Sequence, residues 1–211
     1  MSGRRRRPLT FRRLVGLDRS GGPPPETRRG ESLHPLTIPN AIGFARLALI
    51  PVFLIVALRS GDGRSVLGFV LFSVIAWTDY LDGMVARLTG QYSRLGALLD
   101  PLVDRLLVLA GAVVAWHFEL LPRWALLLLA AREAAMLVLT QIALRTGMEL
   151  NVNMLGRWAV WPVMAALGLA LLTGSWVVDV LLYLGIALSL AATLLYLQDG
   201  WRAIREDSTS T

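Results

Sequence analysis

The chain contains no cysteine and no lysine, and only two histidines among its 211 residues. Without cysteine there can be no disulfide, no thiol nucleophile and no thiolate zinc site. Without lysine, Schiff-base chemistry and the lysine-bearing phosphate loop of nucleotide hydrolases are excluded. His34 and His117 stand far apart and are read as incidental. What is abundant is apolar: 55% of residues are hydrophobic and the mean hydropathy is +0.57.

Apolar runs of about 20 residues, the length that crosses a bilayer as a helix, recur from Asn40 to Gln198. Such a composition is rare in a soluble domain. The expectation is an all-α integral membrane protein with six transmembrane helices, over 41–59, 66–88, 97–118, 123–145, 153–173 and 176–198, enclosing a polar cavity open to the cytoplasm. Short linkers make sequence neighbours antiparallel neighbours. Residues 1–34 read as a disordered basic cytoplasmic arm, 35–200 as the six-helix domain and 201–211 as a cytoplasmic tail. The arm holds nine arginines in residues 1–33 and a Gly-Gly-Pro-Pro-Pro run, with no apolar signal-peptide core. Arginines near span ends place both termini in the cytoplasm, with Arg202 and Arg205 after the last span. Arg59, Arg64 and Arg123 fall on the other side, so the bias is modest. A multi-pass protein of the inner (plasma) membrane is expected. The arm suits anionic lipid headgroups, or serves only as a solubilising tail.

Against this apolar background stand Asp79, Asp82, Asp100 and Asp104. An aspartate in mid-membrane costs roughly 2.5 to 3.5 kcal/mol on insertion scales, so four of them demand compensation. On a helix Asp79, Asp82, Gly83 and Ala86 share one stripe, two carboxylates beside two residues with almost no side chain. Gly96, Asp100 and Asp104, spaced by four, share another, and Pro101 is expected in the first turn of its helix. The stripes can face each other across a hairpin. Arg46 and Arg157 fall at comparable depth on other spans. Four neighbouring carboxylates would repel unless cations join them. Two Mg²⁺ or Mn²⁺ ions would balance the charge, and oxygen-only ligation fits hard cations. Such a centre suits phosphoryl transfer.

The run from Asp79 to Asp104 fits D-x2-D-G-x2-A-R-x8-G-x3-D-x3-D at all eight fixed residues. In this it resembles the CDP-alcohol phosphatidyltransferases. Leu36-Thr37-Ile38-Pro39-Asn40 leading to Arg46, Leu95-Gly96-Ala97-Leu98-Leu99-Asp100-Pro101 and Ala131-Arg132-Glu133 are similar to the phosphatidylglycerophosphate synthase and CMP-forming cardiolipin synthase branches of that family. The likeness covers roughly residues 35–160.

The resemblance implies transfer of the phosphatidyl group of CDP-diacylglycerol to an alcohol, with release of CMP, by a six-helix protein that is often a homodimer. It implies that Asp79, Asp82 and Asp100 bind one divalent ion and Asp79, Asp100 and Asp104 a second, with Asp104 also the general base. Gly83, Ala86, Arg87, Ser93 and Asn40 would contact CDP-diacylglycerol. The acceptor expected is glycerol 3-phosphate, held by Arg157 and Arg132 with Arg46 behind them. Arg157 stands where that branch usually carries a lysine, followed two residues on by a second lysine and a threonine; here the segment is Gly156-Arg157-Trp158-Ala159-Val160. This departure keeps phosphatidylglycerol, giving cardiolipin, as the alternative acceptor. Arg132 and Glu133 can also simply pair with each other. Membrane lipids are the expected surroundings, and no nucleic-acid partner is expected. The non-enzyme alternative is a divalent-cation transporter. The aspartates' placement toward one side, without an acidic relay through the other half, and the lack of an inverted repeat argue against it.

Overall fold

The computed structural model describes residues 37–89, 93–146 and 154–209, and among these there is no strand. Six helices follow one another: α1 (Ile38–Leu58), α2 (Val66–Thr89), α3 (Arg94–His117), α4 (Arg123–Thr146), α5 (Met154–Ala170) and α6 (Trp176–Thr209). Each coincides with one of the six expected segments. The basic arm, residues 1–34, lies outside the described residues.

Length and composition explain why three of these helices suit a membrane. The 21 residues of α1 rise roughly 30 Å at 1.5 Å each, the thickness of a bilayer's hydrocarbon. Ile38–Leu58, Val66–Ala86 and Trp176–Leu195 are each long and apolar enough to cross a membrane, while the apolar part of α5, Ala159–Ala170, is shorter. The 24 residues of α3 include Arg94, Asp100, Asp104 and Arg105. The last helix continues past its apolar run, through residues 201–209. Arg202, Ala203, Arg205 and Glu206 favour the helix, and no proline interrupts it.

Helix α3 begins three residues before the expected start, for a local reason. Ser93 is its N-cap: the Gly96 N–H donates to Ser93 Oγ at 2.9 Å. Ser93 Oγ in turn donates to Asn40 Oδ1 of α1 at 2.7 Å, and both residues are buried. Pro101 therefore lies two turns inside α3 rather than in its first turn. There it deprives the helix of the bond an N–H would make to the carbonyl four residues back.

The residues gather into two compact units. One holds α1 as far as Pro51 together with Val74–Asp104, and so carries the whole Asp79-to-Asp104 signature. Ile50, Ile75, Leu99 and Val103 are its buried apolar residues, with Asn40, Arg46 and Ser93 buried among its polar ones. Its Gly96 is a spacing requirement, because a Cβ there would stand 2.8 Å from Asn40 Oδ1 and 3.1 Å from Ser93 Oγ.

The other unit holds Val52–Ser73 and the chain from Arg105 onward. Phe53 and Phe72 meet edge to face at 5.5 Å. The Phe72 ring lies against both Gly111 and Gly168, where a Cβ would come within 3.0 and 3.3 Å of it. In the connection before α2, Gly63 has φ +78°, and a Cβ there would overlap Phe118 at 2.6 Å. Ser65 then caps α2 by accepting the Gly68 N–H at 3.0 Å. Helices α5 and α6 approach closely at Gly185, where a Cβ would be 2.5 Å from Val163 Cγ2 and 2.8 Å from its backbone nitrogen. Small residues permit this close backbone approach where lipid supplies no hydrophobic drive.

Two outcomes are expected from these contacts. Gly185→Val should destabilise the fold by about 1–3 kcal/mol, because the obstacle includes backbone that cannot rotate away; heating the purified protein in detergent should show earlier loss of helicity. For the cap, Ser93→Ala and Asn40→Ala should each lower the unfolding midpoint, and the double variant should lose less than the sum. Strictly additive losses would mean that the two side chains do not act together.

Candidate active site

Two of the signature's four carboxylates, Asp79 and Asp104, converge on one guanidinium. Arg46, on α1, is 1% exposed, yet it donates to partners on both α2 and α3. Its Nη1 donates to Asp79 Oδ1 on α2 at 2.9 Å, and its Nη2 donates to Asp104 Oδ1 on α3, also at 2.9 Å. Its Nε donates to the Ile75 carbonyl at 3.0 Å, one turn before Asp79 on the same helix. A planar fork with donors on three nitrogens thus spans two carboxylates and a backbone oxygen. Asp79 from the α2 stripe and Asp104 from the α3 stripe are both bonded to Arg46.

Burial divides unevenly across this arrangement. The guanidinium is enclosed, whereas the Asp79 and Asp104 side chains keep 39% and 37% of their surface open. Asp100 lies one turn before Asp104 on α3 and is half-buried. Gly83 and Ala86 follow Asp79 along α2 and are half-buried as well. Asp82 and Arg87 belong to α2 and Arg157 to α5, but their side chains lie outside the described residues. Among the described residues, no set of three or more acidic or histidine side chains is gathered as a metal cage. The donors do fit a hard divalent cation, since Asp79, Asp100 and Asp104 offer only oxygen and two of them share one anchor.

Ser93 and Asn40 are engaged with one another at the start of α3. They hold in place the helix that carries Asp100 and Asp104.

Arg132 lies in the other unit, on α4, and is 10% exposed. It pairs with Glu133, the alternative that the sequence left open. Arg105 Nη1 donates to the other Glu133 oxygen at 2.8 Å, so one buried carboxylate serves two arginines. Sequence reasoning missed Arg105; its signal was a cation adjacent to Asp104 that the aspartate stripe could not accommodate. Arg132 Nε is buried with no hydrogen-bond partner among the described residues. Arg132 also lines a crevice with Leu128, Leu129, Ile186, Ser189 and Leu190 that is too tight to admit water.

Comparison with known proteins agrees with this geometry. The family model of the CDP-alcohol phosphatidyltransferases matches residues 36–193. The CMP-forming cardiolipin synthase of Streptomyces coelicolor is 39% identical over 194 residues, covering 87% of this chain and 89% of the relative. The CDP-diacylglycerol–glycerol-3-phosphate 3-phosphatidyltransferase of Bacillus subtilis is 35% identical over 147 residues, covering 64% of this chain and 76% of the relative. With an oxygen-donor pair set on apolar helices and a family match over most of its length, the chain belongs to the CDP-alcohol phosphatidyltransferases, membrane enzymes of phospholipid biosynthesis.

Proposed function

We propose that the acceptor is phosphatidylglycerol and the product cardiolipin, with CMP released. This reverses the order in which the residues alone ranked the two acceptors. The observation that carries it is the extent of similarity to a CMP-forming cardiolipin synthase, nearly the full length of both chains. Charge supports it. The phosphate of glycerol 3-phosphate is a monoester carrying about −1.5 to −2 near neutrality, by the same chemistry as a phosphorylated side chain. Phosphatidylglycerol is a diester with a single negative charge. The segment Gly156-Arg157-Trp158-Ala159-Val160 offers one cation where the glycerol-3-phosphate branch pattern has two, which suits the monoanion. The second reading, glycerol 3-phosphate, draws on the Bacillus subtilis relative.

In the reaction, Asp104 takes the proton of the acceptor's primary hydroxyl. The freed oxygen forms a bond to the phosphatidyl phosphorus, the bond to the bridging oxygen of the diphosphate breaks, and CMP leaves with that oxygen. Asp79, Asp82 and Asp100 would hold one divalent cation and Asp79, Asp100 and Asp104 another. When bound, these Mg²⁺ or Mn²⁺ ions would lower the cost of ionising the hydroxyl and of the charge on the departing phosphate. Gly83 and Ala86 leave room beside Asp79 and Asp82 for the cytidine diphosphate. Arg87 suits a diphosphate oxygen, while Ser93 and Asn40 serve the site through the seat of α3. Arg157 remains the acceptor contact, while Arg132 stays paired with Glu133.

The topology belongs to the same proposal. Six spans rest on the six helices, and both termini in the cytoplasm of a plasma membrane, with the polar cavity open to that side, are supported by the arginine-rich residues 1–33 and by Arg202 and Arg205. A homodimer rests on the resemblance alone. Ion transport is set aside by membership of a transferase family.

Two assays test this reading. Asp104→Asn should lower CMP release at least 100-fold, about the least that loss of a general base costs, in protein that still purifies folded. Chelator should abolish wild-type turnover, and added Mg²⁺ or Mn²⁺ should restore it; full turnover by the asparagine variant would remove Asp104 as the base. For the acceptor, labelled CDP-diacylglycerol offered separately with phosphatidylglycerol and with glycerol 3-phosphate should give labelled cardiolipin from the first. Turnover with glycerol 3-phosphate and none with phosphatidylglycerol would reverse the choice.

A further inference from the structure

We infer that Arg46 is a positioning residue for the metal-binding carboxylates, fixing Asp79 and Asp104 relative to each other from behind, and is not an acceptor contact. The inference rests on the reading of those aspartates as cation ligands.

Three features carry it. First, the side chain is 1% exposed, and its three nitrogens all donate within the unit, to Asp79, Asp104 and the Ile75 carbonyl. At 1% exposure the side chain offers almost no surface for an acceptor phosphate to reach. Second, the bonds form a rigid frame. The Nε bond to Ile75 ties the guanidinium to the backbone of α2 one turn from Asp79, so the plane of the fork is set before it reaches Asp104 on α3. Third, each carboxylate gives Oδ1 to Arg46 while more than a third of its side chain stays open. A carboxylate has two oxygens and about four lone-pair directions, so it can accept from an arginine and bind a cation together. Hydrogen bonds of this kind orient metal ligands, and losing one typically weakens metal affinity 10- to 100-fold.

Charge alone gives a different expectation. A guanidinium next to the ligands repels a divalent cation, so a residue acting only as a counter-ion would compete with the metal, and its removal would tighten binding. A residue acting through geometry weakens binding when it is lost. Arg46→Lys separates the two, because lysine keeps the charge as a compact point and cannot reproduce the fork.

The experiment uses the full chain, purified in detergent without lipid substrate, with Mn²⁺ as the probe and free Mn²⁺ followed by electron paramagnetic resonance. Arg46→Lys and Arg46→Met are each expected to weaken Mn²⁺ binding about tenfold or more. Both should lower kcat, and the KM for either lipid substrate should move less than about threefold. Thermal unfolding in chelator reports whether each variant is folded; should the methionine variant fail, the lysine variant decides. Wild-type Mn²⁺ affinity in Arg46→Lys, or tighter binding in either variant, overturns the inference. So does a raised acceptor KM with unchanged Mn²⁺ affinity, which would return Arg46 to the acceptor. If the wild type itself binds no Mn²⁺, the cation reading of the aspartates fails and takes the inference with it, an outcome told apart by the wild-type measurement alone.

Discussion

An ionised carboxylate persists on an apolar helix only beside a cation, and in the signature-bearing unit the enclosed cation is Arg46. Its position on α1 makes it the point through which α2 and α3 are joined chemically. Breaking a buried pair by removing one partner costs about 3–5 kcal/mol, because the remaining charge is uncompensated. Here the carboxylates are more than one-third exposed, so solvent screening lowers that figure for them. The guanidinium is fully enclosed and bears the larger penalty if its partners are lost. Two carboxylates on one guanidinium leave a formal surplus of one negative charge in this pair of bonds, the sign that the proposed cations would meet.

The second unit shows the opposite imbalance. Among the described residues, Glu133 accepts from both Arg105 and Arg132, two cations on one buried carboxylate. A buried arginine nitrogen without a partner is costly unless an anion or water reaches it, and the crevice around Arg132 is too tight for water.

Much of this was legible in the sequence because it is local. Six apolar runs gave six helices, and the four-residue spacing of Asp100 and Asp104 placed them on one face of α3. The start of α3 was not legible as an apolar run, because Ser93 lies in the polar stretch before it. Its cap became evident only through the Gly96 N–H and the bond to Asn40 on another helix. The part played by Arg46 was hidden for a similar reason. Its partners lie 33 and 58 residues away, beyond the reach of any periodicity. Depth along the first span put Arg46 near the aspartates, but depth alone cannot tell a cation that binds ligand from one that holds ligands in place. The continuation of α6 through residues 201–209 escaped because hydropathy marks where a helix leaves the membrane rather than where it ends.

Specificity for the acceptor has a different physical origin from the chemistry. The two relatives carry names with different acceptors, yet both match this chain over more than half its length. Membership of the family therefore cannot choose between them. What differs between the acceptors is the charge of one phosphate and whether acyl chains are attached. A dianion needs more donors than a monoanion, and a double-tailed acceptor must enter from the lipid while a small sugar phosphate enters from water. The first difference must register as a count of basic side chains, and the segment around Arg157, with one arginine and then Trp158, Ala159 and Val160, favours the acceptor with less charge. The second must register as apolar surface beside the entrance. Acceptor choice can therefore change through a few residues outside the signature, while the carboxylate geometry held by Arg46 stays the same for either alcohol.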